Sequence, residues 1–428
     1  APADRDRWGG WKNGPRFKAT GFFYPLKRST RWWLVDPEGR LFWSQGVTCV
    51  GMGAAGPVEG RARWYRGLPR EDEPAFKEFF WRGGARSDDR YKDKQVLYFD
   101  WGAANAKRKY GERWRETGGE LAHRRLASWG LNTIGAWSSH EIFRKRRTPY
   151  TAIVHPGGPE LKGSEGYWAN FRDVFDPGFR TAVREGLKNQ ADGVAGDPWC
   201  VGIFVDNELS WGNDTDLGKW TLASPEAQPA RRAFMAQLHE RHPSSTVASE
   251  ADLRAWTART AEEYFTICRD EVRRFAPKQM YLGCRFAWVN DEVVRAAARF
   301  CDVVSYNLYR RAVADFTLPA GLDKPVIIGE FHAGALDRGM FHTGLQAVAT
   351  QSERGEFYRT YVRSALDNPA LVGCHWFQYE DEATTGRFDG ENYQIGVVDA
   401  CDTPYPETVA ALRDVGAELY RRRSGSLR

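Results

Sequence analysis

Runs of apolar, β-branched and aromatic residues recur along the chain, separated by longer amphipathic or polar stretches. Each run is almost continuously apolar, with little alternation, which is typical of strands buried on both faces of a parallel sheet. This pattern predicts strands at 41–51, 131–138, 150–155, 201–208, 281–287, 303–309, 325–331 and 372–379.

Helical patterns occupy the stretches between these strands. Apolar residues three and four apart, with Pro or acidic residues at several starts, predict helices at 112–129, 179–191, 226–241, 261–275, 292–300, 353–366 and 406–420. Eight strands alternating with helices predict an α/β fold, the (β/α)8 TIM barrel. A doubly wound sheet is the alternative, but it usually carries a Gly-rich phosphate loop, for which GMG at 51–53 is too short.

Two segments fall outside this repeat. Residues 31–43 alternate around the turn signature DPEG at 36–39, which predicts a hairpin leading into the first strand. We therefore expect an N-terminal extension with the start of this hairpin at 1–40 and one catalytic barrel with long βα loops at 41–428. The polar, aromatic segment 52–111 follows strand one, so we expect it at the face where barrel active sites lie.

Composition narrows the class of partner. Lys and Arg number 61 and Asp and Glu 56, giving a net charge of +5 that is spread along the 428 residues. This distribution argues against a nucleic-acid binder, which usually has a concentrated basic patch. No apolar run approaches ~18 residues, so no membrane insertion is expected. Aromatic residues make up 14% of the chain, which suggests flat platforms for the C–H faces of sugars.

The seven cysteines are an odd number, so at least one lacks a partner within the chain. Cys49, Cys284 and Cys374 lie in apolar runs and are expected to be buried free thiols. There is no CxxC and no Cys/His cluster with zinc spacing, so neither a metal nor another cofactor is expected. The chain begins Ala-Pro-Ala without Met, which fits a secreted or periplasmic protein after signal-peptide removal or a start chosen for expression.

Two carboxylates end predicted strands four and seven. Glu208 closes VGIFVDNE and Glu330 closes PVIIGE, so both side chains are expected to face each other across the barrel mouth. Two carboxyls about 5 Å apart in a sugar-binding cleft perform retaining glycoside hydrolysis, one as proton donor and the other as nucleophile. A salt bridge or a helix start is the alternative role for either residue alone.

An Asn-Glu pair after strand four and a Glu ending strand seven resemble the clan A glycoside hydrolases. That resemblance implies Glu208 as acid/base and Glu330 as nucleophile. Three longer motifs resemble glycoside hydrolase family 50, the β-agarases: WWLVDPEGRLFWSQGV at 32–47, VDNELSWG at 205–212 and EFHAGALDRGMFHTGL at 330–345. The similarity extends from about residue 20 to the end of the chain.

Asn207 precedes the predicted acid/base and can donate to the sugar hydroxyl beside the anomeric carbon, or alternatively to a loop backbone. In clan A a Tyr ending strand six usually bonds the nucleophile, which implies Tyr306. The clan also places a strand-eight Trp under the sugar at the cleavage site, which implies Trp376. Core packing is the alternative for both aromatics, with Gln378 or Tyr379 then the exposed strand-eight residue.

Further candidates follow other strands. The resemblance favours sugar binding by His332, and Trp137 and His155 are expected to line the donor side. Trp211, just past the acid/base, is a candidate platform on the acceptor side. Acidic residues in FDGENY at 388–393 lack the spacing of an established cation motif, so a solvated turn is expected there.

The two glutamates predict a retaining glycoside hydrolase, and the resemblance to the β-agarases implies that it cleaves β-galactosidic linkages in agarose-type galactans or their oligosaccharides, with the galactan as its partner. One alternative is a clan A β-galactosidase or other β-glycanase of different substrate, because subsite loops set specificity on a shared fold. Another is a carbohydrate-binding barrel without turnover, against which the intact Glu pair counts.

Overall fold

The computed structural model describes residues 1–85, 91–92, 94–166, 168–244 and 247–425. Numbered in chain order, its strands are β1 Tyr24–Arg28, β2 Arg31–Val35, β3 Leu41–Phe42, β4 Ser44–Val47, β5 Ala55–Pro57, β6 Phe80–Gly83, β7 Val96–Asp100, β8 Thr133–Ile134, β9 Tyr150–Val154, β10 Cys200–Val205, β11 Met280–Tyr281, β12 Val304–Asn307, β13 Val326–Phe331 and β14 Leu371–Trp376. Its α-helices are α1 Trp101–Tyr110, α2 Trp114–Ser128, α3 His140–Phe143, α4 Pro177–Gln190, α5 Asp216–Ala223, α6 Pro229–Arg241, α7 Glu250–Phe275, α8 Asp291–Phe300, α9 Gln351–Asp367 and α10 Pro406–Arg423.

The main sheet has eight strands in the order β11-β10-β9-β8-β4-β14-β13-β12, and every neighbouring pair is parallel. Its two end strands also meet. Just after β11, the amide of Phe286 donates to the carbonyl of Ser305 at 2.9 Å, and the carbonyl of Phe286 accepts from the amide of Asn307 at 2.8 Å. The sheet thus curls back on itself as the predicted barrel requires, whereas a doubly wound sheet would keep two open edges.

Each of the eight predicted runs overlaps one strand of this sheet, although the run at 281–287 shares only Tyr281 with β11. The first run is divided, because Leu41–Phe42 pairs with β2 in a separate three-stranded antiparallel sheet and Ser44–Val47 enters the barrel. The predicted hairpin turn is present, with the amide of Gly39 donating to the carbonyl of Asp36 at 3.0 Å. Gly39 has φ +87°, and a Cβ there would lie 2.4 Å from the Phe17 carbonyl oxygen, so the turn requires glycine.

The N-terminal residues cover the amino end of the barrel. The amide of Trp32 donates to the carbonyl of Pro369, just before β14, at 2.8 Å, and Trp8 packs 4.2 Å from Trp199, just before β10. Buried apolar side chains fill the interior above them; they include Val201, Phe204, Leu282, Val303, Ile327 and Val372. This plugged end leaves the carboxyl ends of the strands as the accessible face.

Helices surround the barrel unevenly. Helix α7 is 26 residues long and begins with a capping box between Ser249 and Asp252, and it packs against α4, α5 and α8. The connection from β12 to β13, all of which the structure describes, contains no helix. In the described part of the chain, no helix is long and apolar enough to cross a membrane.

The segment after the first barrel strand forms a small antiparallel sheet in the order β5-β7-β6. It rests on the chain that follows β14: the amide of Gly53 donates to Glu380 Oε2 at 2.8 Å, and Arg61 Nη1 donates to the Thr385 carbonyl at 2.9 Å. This insertion therefore stands at the carboxyl face, as expected for 52–111.

All seven cysteines are free thiols. Cys284 and Cys374 are buried, as expected, whereas Cys49 is only half-buried.

Candidate active site

A cavity of about 620 Å³ opens at the carboxyl ends of the barrel strands. Both Glu208 and Glu330 line it, although they lie 122 positions apart in the chain. Glu208 follows β10, and Glu330 is the fifth residue of β13. The structure therefore brings together the two carboxylates that the sequence analysis selected.

Glu330 is buried and receives two strong donors. Its Oε1 accepts from Arg285 Nη2 at 2.6 Å, and its Oε2 accepts from the hydroxyl of Tyr309. The Arg285 side chain is fully buried, so water screens its charge only weakly. Burial and the charge of Glu330 raise the pKa of Tyr309, which keeps the phenol protonated as a donor.

Glu208 has a different pair of partners, and neither is charged. Its Oε1 accepts from Asn307 Nδ2 at 2.7 Å, and its Oε2 accepts from Trp168 Nε1 at 2.9 Å. Burial, followed by the negative charge of Glu330, raises the pKa of Glu208 above its ordinary value. This environment favours a protonated carboxyl at Glu208 more than at an exposed glutamate.

Polar side chains connect the two carboxyls. Asn207 Oδ1 accepts from Arg285 Nε at 2.8 Å and from Asn307 Nδ2 at 3.2 Å, so one amide oxygen links the partners of both glutamates. Within the described chain Asn207 Nδ2 has no protein partner, which leaves that amide to donate into the cavity. The structure thus places Asn207 in the cavity wall between the partners of both carboxyls, and its bond to a sugar hydroxyl stays a prediction.

Gly329, directly before Glu330, is required by this packing. A Cβ at that position would lie 2.7 Å from Arg285 Nη1 and 2.9 Å from Asn307 Oδ1. Any larger residue would displace at least one of the two side chains that bridge the carboxyls.

Trp137 and His155 line the cavity together, as predicted. Trp137 Nε1 donates to His155 Nε2 at 3.0 Å, and the Arg285 guanidinium lies 4.5 Å from the centre of the Trp137 ring. The side chain of His155 is exposed at the cavity wall, and its partly desolvated surroundings and the nearby Arg285 charge lower its pKa. His155 is therefore neutral near pH 7 and serves as the acceptor that orients the indole.

His332 also lines the cavity, but its Nε2 is occupied by the amide of Leu345 at 2.8 Å. Burial lowers the pKa of His332 to about 3, so the ring stays neutral. The ring centre lies 4.6 Å from that of Tyr309. His332 therefore holds the loop after β13 against Tyr309, the residue that contacts Glu330.

Three predicted aromatic residues do not reach the cavity. Tyr306 packs edge-on between Phe286 and Phe316, so the prediction that it bonds Glu330 is wrong. The phenol on Glu330 belongs to Tyr309, three residues further, where the chain has left the strand. Trp376 and Trp211 are the other two.

Trp376 is fully buried on the outer side of β14, where it packs against Phe331 and Tyr358. Because side chains alternate along a strand, the next residue, Phe377, faces the cavity and takes the predicted place of Trp376, Gln378 or Tyr379.

Trp211 is fully buried with its ring stacked on Phe265 of α7 at 5.6 Å. The chain turns outward after Glu208, so this indole belongs to the core between barrel and helix and offers no sugar platform.

The predicted solvated turn at 388–393 is instead part of the cavity wall. Arg387 donates to Asp389 at 2.9 Å and to Glu391 at 2.5 Å, and it pairs with the buried Glu382 at 3.1 Å. Asp389 and Glu391 both line the cavity. In the described residues, no group of three or more His, Cys, Asp or Glu side chains is arranged to hold a metal ion.

Five non-glycine residues where the barrel strands end have left-handed backbone conformations. They are Cys49, Trp137, Asp206, Glu208 and Arg285, with φ of 54°, 57°, 65°, 50° and 58°. Such conformations cost on the order of 1–3 kcal/mol each and cluster at functional sites. Here they re-aim side chains that would otherwise follow the strand.

Comparison with known proteins adds independent information, although no family model matches the chain. β-Agarase B of Vibrio sp. (strain JT0107) is 33% identical over an alignment covering 98% of this chain and 50% of that protein. The chain spans about half the length of the curated relatives it matches.

Solved structures match over nearly the whole chain. A structure of an exo-β-agarase superposes with a TM-score of 0.91 at 32% identity, covering 99% of this chain and 69% of that one. The agarase AgWH50C superposes with a TM-score of 0.87 at 32% identity, covering 99% and 68%. By this similarity, the chain belongs to the β-agarase family, glycoside hydrolase family 50.

Proposed function

We propose that this protein is a retaining glycoside hydrolase that cleaves β-galactosidic linkages in agarose-type galactans or their oligosaccharides. Glu208 is the acid/base and Glu330 the nucleophile. The observation that carries the proposal is the unequal environment of two carboxyls in one cavity: Arg285 and Tyr309 donate to Glu330, whereas only uncharged N–H groups donate to Glu208.

This inequality supports the division of roles. A buried cation at 2.6 Å favours the ionised carboxylate that must attack the anomeric carbon. The raised pKa of Glu208 favours the protonated form that must donate to the glycosidic oxygen. Carboxyls with opposed environments are the pattern expected of a nucleophile and a general acid.

The reaction then proceeds by double displacement. A carboxylate oxygen of Glu330 attacks the anomeric carbon while Glu208 gives its proton to the leaving oxygen, and the glycosidic bond breaks. Glu208, now ionised, takes a proton from water as that water attacks the same carbon. The ester bond to Glu330 breaks, and both carboxyls return to their starting states.

Agarose-type galactan is the substrate class that the relatives' names support, since they are called β-agarases. The aromatic wall formed by Trp137, Phe377 and Tyr393 suits the C–H faces of galactose units. Because a polysaccharide cannot cross a membrane unaided, we also propose that the protein acts outside the cytoplasm, as a secreted or periplasmic enzyme.

Product analysis tests this function directly. The enzyme is incubated with agarose, porphyran, carrageenan and aryl β-galactosides, and the anomer formed first is identified by NMR. Agarose or its oligosaccharides should be cleaved with the β-anomer released first. Cleavage of aryl β-galactosides alone would favour a β-galactosidase, initial release of the α-anomer would exclude double displacement, and binding without cleavage would favour a non-catalytic barrel.

The pH dependence should follow from Glu208. Its pKa is raised, so the required protonated form persists above the ordinary carboxyl range and is lost as pH rises through the folded-state pKa. We therefore expect kcat/KM to fall on the alkaline side at a pH above 4.5, the value of an unperturbed glutamate. A profile that already falls near pH 4.5 would contradict the assignment.

A further inference from the structure

We propose that Trp168 is a positioning residue for the acid/base: its indole N–H holds Glu208, while the face of the same ring flanks the leaving sugar. This inference rests on the proposed function and adds the leaving-group side of the site to it. Trp168 lies in the connection between β9 and α4, away from the strand that carries Glu208, and it lines the cavity.

The hydrogen bond is the first part of the argument. Trp168 Nε1 donates to Glu208 Oε2 at 2.9 Å, and Asn307 Nδ2 donates to Oε1 at 2.7 Å. Both donors are N–H groups that cannot accept, so they stabilise the ionised carboxyl. These two hydrogen bonds lower the pKa of Glu208, whereas burial and the charge of Glu330 raise it. They also fix the direction in which the carboxyl faces the cavity.

The geometry of indole supplies the second part. The N–H bond lies in the ring plane, so a hydrogen bond through Nε1 does not itself cover the ring faces, and the residue lines the cavity. The leaving oxygen must come within hydrogen-bond reach of Glu208 when it receives the proton. A leaving sugar within reach of Glu208 would therefore lie beside Trp168, in the cavity that Asn170 and Leu209 also line.

Other charges near Glu208 come from several elements and are unchanged when Trp168 is substituted. Glu330, Arg285, Tyr309 and Glu391 interact electrostatically with Glu208, and further titratable or charged groups in the cavity wall are Asp206, Arg172, His155, Arg387 and Asp389. A changed titration of Glu208 in a Trp168 variant therefore reports the lost indole donor.

The first test measures this link without turnover. The titration of Glu208 is followed by ¹³C NMR with carboxyl-labelled glutamate, and its signal is identified from the Glu208→Gln spectrum. In Trp168→Phe the pKa of Glu208 should rise by about one unit, because one donor to the ionised form is lost. An unchanged titration in a folded variant would overturn the proposal, whatever the enzyme cleaves.

The second test uses kinetics. For oligosaccharides, Trp168→Phe should lower kcat/KM about tenfold and shift the alkaline fall of the pH profile of kcat/KM to higher pH. For aryl galactosides with good leaving groups, kcat/KM should fall by less than about threefold. Trp168→Ala should also raise KM for oligosaccharides, because the ring face is gone.

The matched control is Trp288→Phe. Trp288 is 40% exposed, packs edge-on against Trp220 and lies outside the cavity wall. Its substitution should therefore change neither the alkaline fall of kcat/KM with pH nor the dependence of kcat/KM on the leaving group. If Trp168→Phe lowers kcat/KM equally on both substrate classes and leaves the alkaline fall of the pH profile unchanged, the proposal is overturned. Absence of any cleavage by the unaltered protein would instead contradict the proposed function, and the NMR titration would still decide the role of Trp168.

Discussion

The Glu330 side and the Glu208 side of the cavity use the same functional group in opposite settings. Around Glu330, a buried guanidinium and a phenol donate to the two carboxyl oxygens. Around Glu208, an amide and an indole do so, and burial, followed by the negative charge of Glu330, raises its pKa. The identity of the partners, rather than of the carboxyl, distinguishes the proposed nucleophile from the proposed acid.

The largest expected effect comes from substituting Glu330, the proposed nucleophile. Glu330→Gln keeps the shape of the side chain and abolishes its charge, so turnover should fall by at least about a thousandfold on every substrate. Assays with oligosaccharides and with an activated aryl galactoside check this. Substantial turnover on either substrate would reassign the nucleophile.

Glu208→Gln should have a large effect that depends on the leaving group. General acid catalysis contributes about 10²–10⁴-fold, so cleavage of oligosaccharides should fall within that range. An aryl galactoside with a good leaving group needs little protonation and should form the glycosyl-enzyme nearly normally. Pre-steady-state release of the aryl alcohol measures that step, and equal losses on both substrates would contradict the comparison.

Tyr309→Phe should lower turnover by roughly tenfold to hundredfold. A hydrogen bond to a charged group contributes about 1.5–3 kcal/mol, which corresponds to that change in rate. Tyr306→Phe is the matched control, since that ring contacts Phe286 and Phe316 and not the nucleophile. Turnover and melting temperature are measured for both, and a normal rate in Tyr309→Phe would show that the phenol is dispensable.

The smallest effect is expected at the mouth of the cavity. Phe388 lines the cavity and is 46% exposed, so it contacts only sugar units away from the reacting bond. Phe388→Ala should raise KM for long substrates by about threefold to tenfold, the effect of one stacking contact, and leave aryl galactosides unaffected. A change in kcat on the short substrate would contradict this prediction, because it would show that Phe388 acts at the reacting bond.

What the sequence could predict depended on the range of the interactions involved. The barrel strands and the positions of Glu208 and Glu330 follow from local apolar runs and from where each run ends, both of which are visible in a short window. Tyr309 was missed because β12 ends at Asn307, and the amide of Leu308 then donates to the Glu330 carbonyl, turning the next residue into the site.

Trp376 and Phe377 differ by one position, and one position reverses the face of a strand. The apolar run does not reveal which of the two faces inward; contact with Tyr358 of α9 decides it. Trp168 and Arg387 lie in loops, where no periodicity exists to predict a direction. Their partners, Glu208 and Glu382, become neighbours only after the barrel has formed.

At the left-handed residues where the barrel strands end, the requirements of the active site conflict with those of fold stability. Glycine adopts this conformation without the steric cost that a side chain incurs, so Glu208→Gly would relieve backbone strain at a position where function demands a side chain, whereas Arg285→Gly would leave Glu330 buried without its cation. If selection for catalysis were lost, such a position would be among the first where a substitution that abolishes the reaction also increases the stability of the fold. An inactive descendant of this chain would then carry glycine or asparagine at such a position, and its melting temperature would be no lower than that of its active ancestor.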